Sequence, residues 1–272
     1  MRLLLLAALL AAMPAMASPA LDPTWQRLLR VGENISAGPG FYLSGRAHAE
    51  AELTAFLAAA ASADRSQPDQ HPRCRFPARA AWLQANHPAL TQDWPEQPCP
   101  ALQEWLDNLD VGQITLVFAS DYLNNPSSMF GHTLLRLDAR QHGDDVRLLS
   151  YAINYSAQTN TSNGLEFAWK GLTGGYPGAF SLLPYYEKVK EYNDWESRDL
   201  WEYELTLDDD EIRRLLLTLW DWRGVTAPYY FFTRNCSYEL LGLIDMARPG
   251  LDLQARFRWH AMPTDTLRAV LD

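Results

Sequence analysis

A chain of 272 residues with 47% hydrophobic content carries enough apolar material for a substantial core, so one large globular domain or two smaller ones are expected. Its 33 acidic residues outweigh 23 basic ones for a net charge of −10, and the basic residues form no run; nucleic acid is excluded as a natural partner and an anionic surface disfavoured. The sequence has no P-loop, dinucleotide-binding or metalloprotease motif, and neither a cofactor nor a metal is expected.

The chain opens with Met1-Arg2, a Leu/Ala run and Ala15-Met16-Ala17 before Ser18. This charged, apolar and small-residue order is that of a secretory signal cleaved after Ala17, which predicts a soluble periplasmic product. The apolar run falls short of the roughly 20 residues that span a bilayer, and no later stretch of that length lacks charge. Membrane association is therefore expected only through a partner or a further C-terminal region. Three cysteines follow: Cys74, Cys99 and Cys236. In an oxidising compartment two should pair and one remain. Cys74 and Cys99 sit beside loops on either side of the segment holding Trp82, where a disulfide would contribute about 3 kcal/mol. Cys236 is then the free thiol.

Along the chain, residues 18–110 predict a helical, disulfide-stapled region, with helices at 47–63, 78–85 and 101–109 separated by Pro-rich loops at 66–72 and 94–100. Residues 111–272 form the second region. A β-branched, apolar run at 114–119, continued by strands at 133–137 and 146–153 that a turn at 141–144 separates, predicts an antiparallel meander. Alternation at 202–207 adds a half-exposed strand. Asp208 is placed to cap a helix over 209–222, whose acidic first turn suits the helix dipole and is better explained so than as a metal site. The Gly-rich, aromatic span 164–178 reads as a long loop or lid. Tyr229-Tyr230-Phe231-Phe232 reads as core and leads into Asn235-Cys236-Ser237-Tyr238, which opens a helix reaching Met246. Residues 264–272 read as the start of another helix, as in a longer natural protein. The fold class expected is α+β, an antiparallel sheet packed on helices.

A thiolate is stabilised by the unpaired N–H groups and positive dipole end of a helix's first turn, where Cys236 falls. Of His48, His71, His87, His132, His142 and His260, His132 alone opens a strand that would hold it rigidly, which makes Cys236 and His132 the leading nucleophile and base. A third group should accept the other imidazole N–H. Asn154 on the next strand is the choice, with Ser150 and Tyr151 as substitutes because strand parity is open. Asn235 is placed to shape an oxyanion hole, and Ser128 and Tyr155 are taken as substrate-adjacent. The plain structural alternatives are a buried, inert Cys236 and an Asn154 that satisfies a turn.

The runs Asn125-Pro126-Ser127-Ser128-Met129-Phe130-Gly131-His132-Thr133, Ser150-Tyr151-Ala152-Ile153-Asn154-Tyr155-Ser156-Ala157 and Arg234-Asn235-Cys236-Ser237-Tyr238 together resemble the DUF4105 family, also called the Lnb N-terminal periplasmic domain. Cys74-Arg75-Phe76-Pro77-Ala78-Arg79 is similar to its upstream part, so that the resemblance spans nearly the whole mature chain. More distantly, a strand histidine followed by Asn-Cys at a helix start is similar to circularly permuted NlpC/P60-like and lecithin retinol acyltransferase-like enzymes. The chain departs from the latter at Ser237-Tyr238, where an acidic residue and histidine are common. The resemblance implies a permuted papain-like fold, with His132 as base and Cys236 as nucleophile. The implied function is an exported cysteine hydrolase or acyltransferase acting on an amide or ester bond of a cell-envelope substrate: a peptidoglycan peptide, a lipid or a lipoprotein acyl group. The alternative is a non-catalytic module that holds envelope glycan or peptide with some of the ten Trp and the 164–178 span. Glycoside hydrolysis would need two convergent carboxylates, for which Glu166, Glu187, Glu191 and Glu202 are the acidic candidates.

Overall fold

The computed structural model describes residues 18–120, 131–140, 149–159, 163–191 and 198–272. The expected leader, the 141–144 turn and Ser128 lie outside the described residues. The helices before the sheet are α1 (Pro23–Leu28), α2 (Ala49–Ala60), α3 (Pro72–Arg75), α4 (Pro77–Asn86) and α5 (Pro100–Leu109). All except α2 begin on a proline. Proline lacks only an N–H that the first turn leaves unpaired anyway, and its fixed φ suits the helix. Asp110 ends α5 in the left-handed conformation, and the chain turns there into the sheet.

Then follow β1 (Val111–Ala119), β2 (His132–Ala139), β3 (Tyr151–Ala157), α6 (Gly164–Thr173), β4 (Tyr176–Pro184), α7 (Tyr185–Lys190), β5 (Leu200–Glu204), α8 (Asp209–Asp221), β6 (Thr226–Tyr229), α9 (Cys236–Ala247) and α10 (Pro263–Leu271). The strands form a six-stranded sheet in the order β5-β1-β2-β3-β4-β6, antiparallel at every pair. The α+β class and the β1-β2-β3 meander agree with expectation.

Two readings of the sequence change. The span 164–178 is α6 followed by the start of β4, and its glycines from Gly171 onward allow close packing: a Cβ at Gly171 would lie 2.2 Å from the Phe231 ring. β3 begins at Tyr151 and runs to Ala157, later than the apolar run suggested. The Asp208 cap is found, as a full capping box with Glu211.

The two expected regions share one core. Trp25, Phe56 and Leu83 from the N-terminal helices join Ile114, Leu135 and Ile153 of the sheet and Leu215, Leu219, Leu240 and Ile244 of α8 and α9. The opposite sheet face is covered more thinly, by Tyr185 against Val117, Leu134 and Ala152. A buried ion cluster also ties the regions. Arg79, fully buried, pairs with Glu52 at 3.1 Å and lies 3.9 Å from Asp221, its guanidinium stacked over Phe41 and Phe76. Asp221 in turn accepts from the backbone N–H groups of Ala78 and Arg79 at 3.0 and 3.2 Å. Cys74 and Cys99 form the expected disulfide, and Cys236 is free and buried.

Candidate active site

His132 is the first residue of β2, paired with Ala119 at the end of β1. The preceding Gly131 has φ +91°, and a Cβ there would lie 2.6 Å from the Phe118 ring, so glycine is required for the chain to enter β2 at this point. The β2–β3 ladder sets Leu135 opposite Ile153. That register puts His132 and Asn154 on one sheet face as diagonal neighbours, within reach of long side chains. Their side chains meet, with 2.7 Å between His132 Nε2 and Asn154 Oδ1. Asn154 is buried, and its amide nitrogen donates to Ser181 Oγ at 3.4 Å, which leaves the oxygen for the imidazole. The two substitutes are occupied elsewhere: Ser150 donates to Asp138 and Tyr151 is exposed at the other end of β3.

Cys236 is the first residue of α9 and is 2% exposed. Its thiol hydrogen-bonds the His132 side chain. Burial alone would push the thiol up; the facing His132 charge, that hydrogen bond, the Thr133 backbone N–H and the Tyr229 hydroxyl together bring it down to about 7. His132 responds in the complementary sense: burial would lower it, but Cys236 and Asn154 hold it above the ordinary histidine value. Nε2 is engaged with Asn154, so Nδ1 is the ring nitrogen left for sulfur. The three side chains are so placed that His132 can exchange a proton with Cys236 while Asn154 orients the ring.

Tyr229 is the residue that sequence reading missed, since it was grouped with the core. Its ring is buried and stacked on Tyr155 at 5.9 Å, while its hydroxyl oxygen accepts from Cys236 N–H at 3.3 Å. The available signal was that a buried tyrosine needs a partner for its one polar atom.

Asn235 is not free to bind an oxyanion. Its Oδ1 accepts from Tyr238 N–H at 3.2 Å and Ser237 Oγ at 2.8 Å, and its Nδ2 donates to the carbonyls of Phe231 and Ala261 at 3.0 and 2.7 Å. With both amide hydrogens used, it fixes the start of α9 and the loop before it. Tyr155 is fully buried beneath Tyr229, behind the site rather than on its rim.

Several other polar candidates are engaged away from Cys236. His48 and His71 cap α2 and α3. Glu166 pairs with Lys170, Glu191 with Lys188, and Glu202 with Arg136 and Tyr185. Among the described residues no group of three or more His, Cys, Asp or Glu is placed to hold a metal ion, and no helix is long and apolar enough to cross a membrane.

No curated protein and no solved structure matches the chain significantly. Residues 20–86 match a separate family model, a domain of unknown function designated DUF7843. The Cys74-to-Arg79 segment therefore lies in that domain and not in the family it was taken to extend. Residues 101–272, with His132, Asn154 and Cys236 among them, match the model of the Lnb N-terminal periplasmic domain, whose description supports an exported envelope protein, and the chain belongs to that family.

Proposed function

We propose that the protein is an exported cysteine hydrolase or acyltransferase of permuted papain-like fold, acting on an amide or ester bond of a cell-envelope substrate. The observation that carries this reading is the His132 side chain hydrogen-bonded at once to the thiol of Cys236, at a helix start, and to the amide of Asn154. An inert core cysteine needs neither a lowered thiol nor a base held in place by a third residue.

In the proposed reaction the Cys236 thiolate attacks the substrate carbonyl and forms a tetrahedral adduct. The backbone N–H of Cys236, at the positive end of α9, donates to the Tyr229 hydroxyl in this state, and it serves the developing oxyanion by exchanging that contact for the adduct. His132 gives its proton to the departing amine or alcohol, leaving a thioester on Cys236. It then takes a proton from water or from an acceptor nucleophile, and attack on the thioester releases the acyl group and regenerates the thiolate. Asn154 keeps the imidazole in register throughout. A peptidoglycan peptide, a lipid ester or a lipoprotein acyl group each presents a carbonyl of the required kind.

The second reading, an envelope-binding module, is favoured by the exposure of Trp169, Trp201 and Trp259. Activated p-nitrophenyl esters of graded acyl length separate the two. The enzyme reading expects a burst of up to one p-nitrophenolate per chain followed by slower turnover, absent in Cys236→Ser. A wild-type protein without a burst at any acyl length would favour the binding module.

A further inference from the structure

β6 and the start of α9 are joined by a short loop that folds back on itself. Tyr230 N–H donates to Arg234 O at 3.1 Å, and Asn235 Nδ2 ties the loop down at Phe231 O. This brings the Tyr229 phenol onto Cys236. β6 itself is held on both edges: Tyr229 pairs with Tyr176 of β4, and Thr226 exchanges two backbone hydrogen bonds of 2.8 Å with Ser36. The Tyr229 ring is stacked on Tyr155, meets Phe231 edge-on at 6.1 Å and is 3% exposed. With the ring so packed, the motion left to the side chain is rotation of the O–H about its C–O bond.

Both ends of that hydroxyl serve Cys236. Its oxygen accepts the Cys236 N–H at 3.3 Å, long for such a bond, and its proton is directed to the Cys236 sulfur. Burial, and after it the Cys236 charge, hold the phenol well above the ordinary tyrosine value, so it keeps its proton and remains a donor when the thiolate forms. Tyr155, the titratable group stacked on the ring, is also raised by burial and stays neutral. Acyl transfer is accelerated by donors aimed at the oxyanion, of which the nucleophile's own N–H is one. Asn235 cannot supply another, because both of its amide hydrogens are committed to carbonyls.

We propose that Tyr229 is a catalytic residue whose hydroxyl donates to the Cys236 sulfur at rest and turns to the oxyanion once the sulfur has bonded to the substrate carbon. The inference rests on the acyl-transfer reading of the site. As the S–C bond forms, the carbonyl π pair moves onto oxygen, and the sulfur becomes a weak acceptor. A buried O–H still pointing at it would be left unsatisfied, a cost that the oxyanion removes. In the same step the Cys236 N–H leaves the phenol oxygen for the adduct, which frees the hydroxyl to rotate. Collapse of the adduct returns the electron pair to the C=O bond and expels the leaving group with the proton from His132. Tyr229 keeps its own proton throughout.

Tyr229→Phe removes the hydroxyl and keeps the ring. Two reactions of Cys236 are compared in this variant: alkylation by iodoacetamide, which takes place at a CH2 carbon and creates no oxyanion, and the burst with p-nitrophenyl esters, which creates one. The midpoint of the alkylation profile should rise by about one pH unit, since the thiolate loses a donor. The alkylation plateau at high pH should stay within about threefold of wild type, which also verifies the fold. The burst rate constant, corrected for the ionised fraction of Cys236, should fall roughly 100-fold with half-saturation by ester unchanged. If alkylation plateau and burst fall together, Tyr229 only holds Cys236 in place and the proposal is overturned; an unmoved midpoint overturns it too. A wild type without a burst brings down the acyl-transfer reading and this proposal with it, whereas a wild-type burst that Tyr229→Phe fully retains removes this proposal alone.

Discussion

Replacing His132 with alanine should slow alkylation of Cys236 at pH 7 roughly tenfold or more, because it removes the group that keeps the sulfur ionised. With His132 present the thiol is brought to about 7, so a large fraction is thiolate at neutral pH. Without it, burial acts unopposed by the imidazolium, and the thiol returns to the ordinary cysteine value of about 8.5 or above. The sign of the pH dependence follows. A depressed thiol is protonated below about 7, so the wild-type rate should rise through that pH and then level off. In His132→Ala the rise should move above about pH 8. The pair is charged from about pH 7 upward until the imidazolium, held above its ordinary value, loses its proton. Iodoacetamide labelling at stepped pH, read by mass spectrometry at Cys236, measures both profiles. Superimposable curves for the two proteins would remove His132 from the site.

Arg79→Ala should destabilise the fold by about 3–5 kcal/mol, because it leaves the buried Glu52 without its cation and takes from Asp221, whose carboxyl burial already pushes up to about 7, the charge that opposes that shift. Glu52 is fully buried, and of Arg79's two carboxylate neighbours it is the closer. The guanidinium also donates to Phe41 O at 2.8 Å and fills the space between two aromatic rings, so alanine removes packing as well as charge. For a chain of this size the loss corresponds to a fall in Tm of roughly 10 °C, measurable by circular dichroism. An unchanged Tm would show that the cluster does not hold the N-terminal helices to α8.

Much of the framework was legible because local signals and tertiary needs coincide. Proline at helix starts, the Asp208 capping box and the β-branched run of β1 each specify an element without help from distant residues. Cys236, His132 and Asn154 were readable by a similar route: a helix start, a strand start and the neighbouring strand leave few other arrangements. What stayed hidden depends on contacts between segments far apart in sequence. α6 looked like a loop because Gly171 within it and Gly174 at its end are there for Phe231 and Tyr230, not for flexibility. β4 and β6 carry Pro177 and Pro228 opposite each other, which masks strand character in the sequence. Tyr229 looked like core because its ring is core; only its hydroxyl reaches Cys236. Asn235 stands next to Cys236, yet the carbonyls of Phe231 and Ala261 claim its donors, and no spacing in the sequence foretells that.

The most direct measurement is to incubate the protein with envelope extract, quench with acid and weigh the intact chain. A covalent adduct located on Cys236, removed by hydroxylamine as a thioester is and absent from Cys236→Ser and His132→Ala, is the expected result, and its mass would identify the acyl group. An unmodified Cys236 in extract that demonstrably contains the substrate of a working wild-type protein, or an adduct on another residue, would contradict the assignment of Cys236 as the nucleophile.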